Sequence, residues 1–143
     1  MRRILIVNGP NMGHLGRRQP EIYGDATLDS LISAVKTAFA ADDIAIDHFQ
    51  SDIEGEIVHR LLQADDEADI AGIVLNAAAY THTSVAIADA VAAIAKPVVE
   101  VHMSNVAARE QVRQRSLVAP YCAGTITGFG ALSYFLAVKA LIS

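Results

Sequence analysis

The sequence predicts an α/β protein built on one parallel β-sheet with helices on both faces. Short apolar runs alternate five times with longer segments of helical spacing, a pattern typical of parallel strands joined by right-handed crossovers. Several of these runs are nearly continuous in β-branched residues, as expected of strands that are covered on both sides. Five such strands favour a three-layer, flavodoxin-like sandwich with the strand order 2-1-3-4-5.

The elements can be assigned in order along the chain. Strands are predicted at residues 2–8, 44–49, 69–76, 96–102 and 122–127, and helices at 27–43, 51–63, 83–95 and 130–142. In the first helix, apolar residues recur at the spacing of one helix face: Leu28, Leu31, Ile32, Val35 and Phe39. Ser51 and Glu54 stand at capping-box spacing, so we expect them to cap the second helix.

Composition indicates a single soluble domain spanning residues 1–143. The hydrophobic fraction of 52% is sufficient for one core. The net charge of -5 argues against a nucleic-acid surface, which needs clustered basic residues. No apolar run approaches the roughly 20 residues of a membrane span. Because Cys122 is the only cysteine, no internal disulfide is expected, and the predicted location is the cytoplasm.

Polar residues follow the predicted strands at the edge where sheets of this order bind ligands. They are Asn11, Asn76, His82, Glu100, His102, Ser104 and Asn105. The loop 12–26 begins at the same edge and carries Arg17, Arg18 and Tyr23. Because loops this long in compact domains are usually active-site lids or disordered segments, we predict a lid here. The eight arginines favour a small acidic substrate, since Arg binds carboxylates through two parallel hydrogen bonds.

Two places in this set have the chemistry for proton transfer. Glu100 and His102 lie two residues apart in one strand, so their side chains share a face and the carboxylate can orient the imidazole. A purely structural ion pair is the alternative. A free phenol has a pKa of about 10, and the Arg18 guanidinium would favour the charged form of Tyr23. The alternative for Tyr23 is that it only packs the loop.

No metal or cofactor is predicted. Cys122 lies in a strand pattern without an adjacent histidine and is expected to be a small core residue. His14, His48 and His59 lack neighbours of the ligand type. The glycines after the first strand match neither the P-loop nor the dinucleotide-binding fingerprint.

Several separate motifs, in order along the chain, resemble the type II 3-dehydroquinate dehydratases from the first strand through the last helix. They are NGPN (8–11), PEIYG (20–24), QSDIEGE (50–56), AYTHTS (79–84), EVHMSN (100–105), ARE (108–110) and GFGALSY (128–134). In that family the reaction is a trans elimination of water from 3-dehydroquinate through an enolate, without a Schiff base or a metal. The resemblance implies the same activity here, in the shikimate pathway or in quinate breakdown.

The resemblance also implies a role for each matching residue. Tyr23 matches the base that removes the proton beside the ketone, and Arg18 matches the lid arginine that lowers its pKa. His102 matches the general acid for the departing hydroxyl, with Glu100 behind it. Asn11 matches the residue that holds a water against the enolate. The implied substrate contacts are Asn76, His82 and Arg113 at the hydroxyls and the backbone N–H groups of Met103 and Ser104 at the carboxylate.

The family's known members are dodecamers of four trimers, so the resemblance implies a homo-oligomer. Asp89 on the third predicted helix matches the acidic residue that approaches the neighbouring subunit's site. Arg109 lies within a matching motif, but no direct contact with substrate is predicted for it.

Two loops beside the site depart from the family pattern. Met12, Gly13 and His14 replace the usual residues of the first loop, and Ala77 and Ala78 stand where the family has Pro and Gly. Because Ala adopts a positive φ less readily than Gly, we expect the second loop to take a different path. These changes place substrate affinity and lid behaviour in question more than reaction type.

Three other functions fit part of the pattern. A signalling receiver domain on this fold would carry acidic residues where this chain has Asn8 and Asn76. A flavin carrier would have a Ser/Thr-rich phosphate cradle in the first loop, which is missing from this sequence. A catalytically weak homologue that binds a cyclic polyol acid as a sensor or partner is the third alternative, and the altered loops motivate it.

Overall fold

A computed structural model of the chain, which describes residues 1–15 and 27–143, has the predicted α/β architecture. Its strands are β1 (Arg2–Asn8), β2 (Ile44–Gln50), β3 (Ile70–Asn76), β4 (Val98–His102) and β5 (Gly124–Thr127). They pair in parallel in one sheet of order β2-β1-β3-β4-β5. The predicted fold class and strand order are therefore confirmed.

Helices cover both faces of this sheet. They are α1 (Leu28–Ala38), α2 (Glu54–Asp65), α3 (Val85–Ala93) and α4 (Leu132–Ile142). Helices α1 and α4 pack on one face, and α2 and α3 pack on the other. The first helix ends earlier than predicted because the chain turns at Phe39, whose carbonyl accepts the N–H of Asp42 at 3.0 Å. Within the described ranges, no helix has the length and hydrophobicity needed to cross a membrane.

The first strand is buried on both sides, as its β-branched composition predicts. Ile4 and Ile6 belong to the hydrophobic cluster beneath α1 and α4, whereas Leu5 and Val7 belong to the cluster beneath α2 and α3. All four side chains are at most 1% exposed. Because burying a side chain of this size contributes roughly 1.5–3 kcal/mol, β1 is most stable inside the sheet, between β2 and β3.

Side-chain caps mark where two of the helices begin. The Thr27 hydroxyl accepts the N–H of Ser30 at 3.1 Å at the start of α1, and the Ser84 hydroxyl accepts the N–H of Ile87 at 2.9 Å at the start of α3. Each bond satisfies one of the backbone donors that a first helical turn leaves without a partner. Ser84 therefore fixes the point at which the loop after β3 becomes helix.

The capping box predicted for α2 is wrong. The N-cap is Ile53, and the Ser51 hydroxyl accepts the Ile53 N–H at 2.9 Å while it donates to the Glu56 carboxylate at 2.5 Å. Glu54 is the first residue of the helix and has no capping role. The physical reason is that the backbone N–H of Ser51 still bonds to the carbonyl of Asn8 at the end of β1, so the helix begins only further along the chain.

At the amino ends of the strands, Arg3 joins three carboxylates. Its guanidinium bonds to Glu67 at 3.0 Å and to Asp69 at 2.6 Å, and it also contacts Asp47. Hydrogen bonds from Arg60 and from Arg3 hold the pKa of Glu67 below its usual value, and those from Arg3 do the same for the pKa of Asp69. This cluster lies at the edge of the sheet opposite the polar strand ends.

We expect this cluster to make the fold less stable in acid. The Glu67 and Asp69 carboxyl groups have a lower pKa in the folded chain than in the unfolded chain, so their contribution is present above the unfolded pKa of about 4 and is lost as pH falls further. Urea unfolding at pH 7 and pH 3 measures this. Arg3→Met should cost more stability at pH 7 than at pH 3, whereas exposed Arg2→Met should change little at either pH. An equal cost of Arg3→Met at both pH values would contradict the expectation.

Candidate active site

A pocket opens at the carboxyl ends of β1, β3 and β4, the edge at which the sequence predicts ligand binding. The pocket is a cleft that stays open to solvent, so a small ligand can enter it from outside. The loops after these strands supply the polar and apolar lining, which includes Asn11, Met12, Leu15, Asn76, Ala78, His82, His102, Met103, Ser104, Arg109 and Arg113. Most of the predicted site residues therefore lie together.

Close packing of two loops forms one wall of this pocket. The N–H of Gly9 donates to the carbonyl of Asn76 at 2.8 Å, which joins the ends of β1 and β3. A Cβ atom at Gly9 would lie 2.5 Å from the carbonyl oxygen of Ala77, a distance that backbone atoms cannot accommodate. Glycine is therefore required at this position, and it allows Asn11 and Asn76 to line the same pocket.

The predicted contact between Glu100 and His102 is present. Both residues are in β4, and the Nε2 atom of His102 lies 2.5 Å from Oε2 of Glu100. Their side chains are only 8% and 3% exposed, so little water competes for the bond. Glu100 lies behind the ring, and Nδ1 is the ring nitrogen that it does not bind. This arrangement fixes the orientation of the imidazole at the pocket.

Ser116 is a partner of Glu100 that sequence reasoning missed. Its hydroxyl donates to Oε1 of Glu100 at 3.0 Å and also accepts the N–H of Ala119 at 3.0 Å. The carboxylate is therefore held through both oxygens, by Ser116 on one side and by His102 on the other. Ser116 lies in an irregular segment between β4 and β5, far outside the two-residue spacing that links Glu100 to His102, so no local pattern identifies it.

His82 lies beside His102 in the pocket. The two ring centroids are 6.3 Å apart with an interplanar angle of 23°. Nδ1 of His82 lies 2.7 Å from the carbonyl oxygen of Arg115, so this nitrogen carries a proton and donates it. Neutral His82 therefore has Nε2 as a hydrogen-bond acceptor, which suits contact with a substrate hydroxyl.

Asn11 is held at the root of the first loop. Its backbone N–H donates to the Asp52 carboxylate at 2.8 Å, and the Gln50 amide donates to the same oxygen at 3.1 Å. Asn11 has a left-handed backbone with φ of 69°, which Asn tolerates better than most residues. Met12 and Leu15 are buried in the core next to α1. Met12 and Leu15 of the predicted lid are thus packed against the core, whereas Gly13 and His14 between them are exposed.

Ala78 has a left-handed backbone with φ of 53°, although the sequence led us to expect that alanine would avoid this conformation. The N–H of Ala78 donates to the Asn76 side-chain oxygen at 3.0 Å, which closes a tight turn directly after β3. For an L-residue this conformation costs on the order of 1–2 kcal/mol. The turn therefore orients Asn76 at the expense of local strain.

Replacing Ala78 with glycine should stabilise the fold. Glycine removes the left-handed strain but raises the conformational entropy of the unfolded chain, so we expect a net gain of roughly 0.5–1 kcal/mol in the free energy of unfolding. Urea denaturation measures this gain. The neighbouring Ala79 does not have a positive φ, so Ala79→Gly is the matched control and should lower stability. If both substitutions lowered stability equally, the strain at Ala78 would be refuted.

Arginines supply positive charge on the side of the pocket formed after β4. Arg109 and Arg113 both line it, and Arg109 donates to the Ser104 hydroxyl at 3.4 Å. Arg113 pairs with Glu110, which lowers the pKa of that carboxyl group. An anionic ligand would be attracted to this side. Sequence reasoning assigned no contact to Arg109, although its spacing of four residues from Arg113 placed both on the same segment.

Among the described residues, some that the sequence grouped with the site do not line this pocket. Tyr23 and Arg18 fall outside the described residues. Asp89 is exposed on α3 and does not line the pocket of its own chain. Asn105 is not among the lining residues; its side-chain oxygen accepts the N–H of Ala107 at 3.2 Å and caps a short turn.

The described residues contain no cluster of three or more His, Cys, Asp or Glu side chains suited to a metal ion. Cys122 precedes β5 instead of lying in it and packs half-buried at the edge of the core. Burial raises the pKa of its thiol to about 12, so it is protonated near neutral pH and is a poor nucleophile.

Together, the fold and this pocket define a flavodoxin-like α/β protein with a polar pocket at the carboxyl edge of its sheet. A profile described as Dehydroquinase class II matches residues 2–142. The 3-dehydroquinate dehydratase of Exiguobacterium sp. is 51% identical over 140 residues, which cover 98% of this chain and 94% of that protein. The enzyme of the same name from Pelodictyon phaeoclathratiforme is 47% identical over 139 residues, which cover 97% and 91%.

A solved structure agrees with these sequence comparisons. The type II dehydroquinase from Butyrivibrio crossotus superposes with a TM-score of 0.96 at 38% identity, covering 99% of this chain and 98% of that one. The chain belongs to the class II dehydroquinase family, and the resemblance seen in the sequence motifs is confirmed.

Proposed function

We propose that this chain is a hydro-lyase that converts 3-dehydroquinate to 3-dehydroshikimate by a reversible trans elimination of water. The observation that carries the proposal is the His102 imidazole, which is bonded to a buried carboxylate and lines the pocket at the carboxyl ends of the strands. Membership of the class II dehydroquinase family supports the same reaction.

A trans elimination needs a base and an acid on opposite sides of the substrate ring. In our proposal the Tyr23 phenolate, favoured by Arg18, removes the proton beside the ketone, and the electron pair becomes an enolate. A water held by Asn11 stabilises the enolate oxygen. The enolate then expels the hydroxyl group, which takes a proton from His102 and leaves as water. Each well-placed proton transfer accelerates the reaction by about 10² to 10⁴.

The remaining pocket residues bind the substrate. In our proposal Asn76, His82 and Arg113 contact its hydroxyls, and the position of all three in the pocket lining supports this role. The backbone N–H groups of Met103 and Ser104 receive the carboxylate. The positive charge of the arginines after β4 favours that anionic group, and binding through several contacts holds the ring in position for proton transfer.

A turnover assay tests the proposal directly. The product is a conjugated enone, so purified chain mixed with 3-dehydroquinate should give a rise in ultraviolet absorbance at a rate proportional to the chain concentration. Binding of the substrate, measured separately by calorimetry, provides the control. Binding without turnover would contradict the proposal and favour a sensor that only binds a cyclic polyol acid.

We also propose that the chain works in the cytoplasm as a homododecamer of four trimers, in which Asp89 of one subunit approaches the neighbouring site. Large apolar side chains exposed on the described surface support an assembly: Val85, Val112, Tyr121, Phe129 and Leu132 are each more than half exposed. Such residues are usually covered in an oligomer. Light scattering coupled to size exclusion should give the mass of twelve chains, and a monomer mass would contradict this part of the proposal.

A further inference from the structure

A chain of hydrogen bonds crosses the fold beneath the pocket. It connects Asn76 to three residues that have no part in the proposed mechanism: Tyr134, Asn8 and His48. The Asn76 amide nitrogen donates to the Tyr134 hydroxyl at 2.9 Å, and Tyr134 donates to the side-chain oxygen of Asn8 at 2.5 Å. The Asn8 amide nitrogen lies 3.0 Å from Nε2 of His48. The chain therefore connects α4 and the ends of β1 and β3 to the middle of β2.

The two asparagines and the tyrosine of this chain are enclosed by the fold, and His48 at its end is partly buried. Asn8 and Tyr134 are 0% exposed, and Asn76 is 5% exposed. Water cannot replace a missing partner at such positions, so each lost bond leaves a buried polar group unsatisfied. Burial also raises the pKa of the Tyr134 phenol, so the hydroxyl keeps its proton and can donate. The chain is thus a complete network that depends on every member.

The bonds in the chain all run in one direction. At one end, the side-chain oxygen of Asn76 accepts the N–H of Ala78, so the amide nitrogen must face Tyr134. Tyr134 can then donate only onward, to the oxygen of Asn8, and the amide nitrogen of Asn8 donates to Nε2 of His48. Burial lowers the pKa of His48, which favours the neutral ring that this acceptor role requires. Reversing any single amide would place two donors or two acceptors together.

Asn76 has one further N–H that can bind a ligand on the pocket side. Within residues 1–15 and 27–143, the partner of its second N–H is the Met12 sulfur at 3.8 Å, and a thioether is a weak acceptor. A substrate hydroxyl would be a better partner for that N–H. The orientation of the Asn76 amide therefore decides whether a hydrogen-bond donor or an acceptor points into the pocket.

We propose that Tyr134 is a positioning residue for Asn76, and that Asn8 and His48 support it by fixing the direction of the hydrogen-bond chain. The proposal rests on the contact of Asn76 with a substrate hydroxyl that is part of the proposed function. Because this contact is made before and during the reaction, loosening Asn76 weakens substrate binding without changing the proton transfers.

Tyr134→Phe tests this proposal by removing only the hydroxyl. We expect KM for 3-dehydroquinate to rise about tenfold and kcat to stay within about twofold, as for loss of a bond made equally in the ground state and the transition state. Val138→Ala is the matched control on the same helix, since Val138 is buried but apolar. It should lower the unfolding temperature and leave KM unchanged.

Substitutions of His48, which does not line the pocket, provide an independent test of the proposal. His48→Gln retains a side-chain acceptor for Asn8 and should keep the normal KM, whereas His48→Leu removes the acceptor and should raise KM about threefold. A general packing defect would not be rescued by glutamine in this way. If His48→Leu and His48→Gln had the same KM as the unaltered enzyme, the support role of His48 would be wrong.

Asn76→Ala separates failure of this inference from failure of the proposed function. A raised KM in Asn76→Ala with an unchanged KM in Tyr134→Phe would overturn the positioning role and leave the substrate contact intact. An unchanged KM in Asn76→Ala would overturn both. If Tyr134→Phe does not fold, the two His48 variants decide the question.

Discussion

Replacing His102 with alanine should lower kcat by about a thousandfold, the largest effect that we expect from any described residue. Without the imidazolium, the substrate hydroxyl would have to leave as hydroxide or take a proton from water, and general acid catalysis of about 10² to 10⁴ would be lost. Substrate binding should change little, because Asn76 and Arg113 still line the pocket. Steady-state kinetics from the absorbance of the enone product measure both quantities.

A control for this substitution must preserve the hydrogen bond to the Glu100 carboxylate, which lies behind the imidazole ring. His102→Ala leaves Glu100, which is 2% exposed, without one of its two partners, and a buried charge without its partner destabilises the fold. His102→Gln retains an N–H that can reach Glu100 but cannot transfer a proton. We expect His102→Gln to be as inactive as His102→Ala and more stable to urea. A kcat near normal in either variant would mean that the leaving hydroxyl receives its proton from another group.

Replacing Tyr23 with phenylalanine should lower kcat by two to four orders of magnitude, on the order of 10² to 10⁴, with little change in substrate affinity. In the proposed mechanism the phenolate acts only when the proton beside the ketone is removed, so its loss should affect the transition state rather than the bound ground state. Tyr23 lies outside the described residues, and the expectation depends on the family motif PEIYG at 20–24. Parallel measurements of kcat and of the dissociation constant test it.

Tyr80 provides a matched tyrosine for comparison. Its hydroxyl donates to the backbone carbonyl of Asp52 at 2.8 Å, and it does not line the pocket. Tyr80→Phe therefore removes the same atom from a position that is not part of the proposed proton transfers and should keep kcat within about twofold. Equal losses in Tyr23→Phe and Tyr80→Phe would remove Tyr23 from the proposed mechanism.

Contacts that follow from the residue period of a strand or helix could be predicted from the sequence. Features that depend on where the chain turns were harder to predict. The bond between Glu100 and His102 follows from the two-residue period of a strand, and it is present. The capping box at Ser51 and Glu54 has the right spacing but is wrong, because Ser51 is still bonded to the end of β1. A spacing rule describes only the helix itself and includes no information about a neighbouring strand.

The left-handed backbone of Ala78 is a second case in which a local sequence rule was insufficient. Local preference argues that alanine avoids this conformation, yet the turn after β3 requires it, because Asn76 must accept the Ala78 N–H while it donates to Tyr134. Several bonds from distant parts of the chain outweigh a local cost of on the order of 1–2 kcal/mol. Tertiary contacts therefore override the intrinsic preference of one residue.

The sequence alone was enough to predict the α/β class, the strand order, the family and the edge of the sheet at which the polar residues meet. All of these depend on short-range periodicity and on motifs along the chain. Only the tertiary structure identified the partners that orient those residues: Ser116 at Glu100, Asp52 at Asn11, and Tyr134 at Asn76. Their separations of 16, 41 and 58 residues leave no periodic trace. Such contacts form only when the sheet and its loops close around a common core.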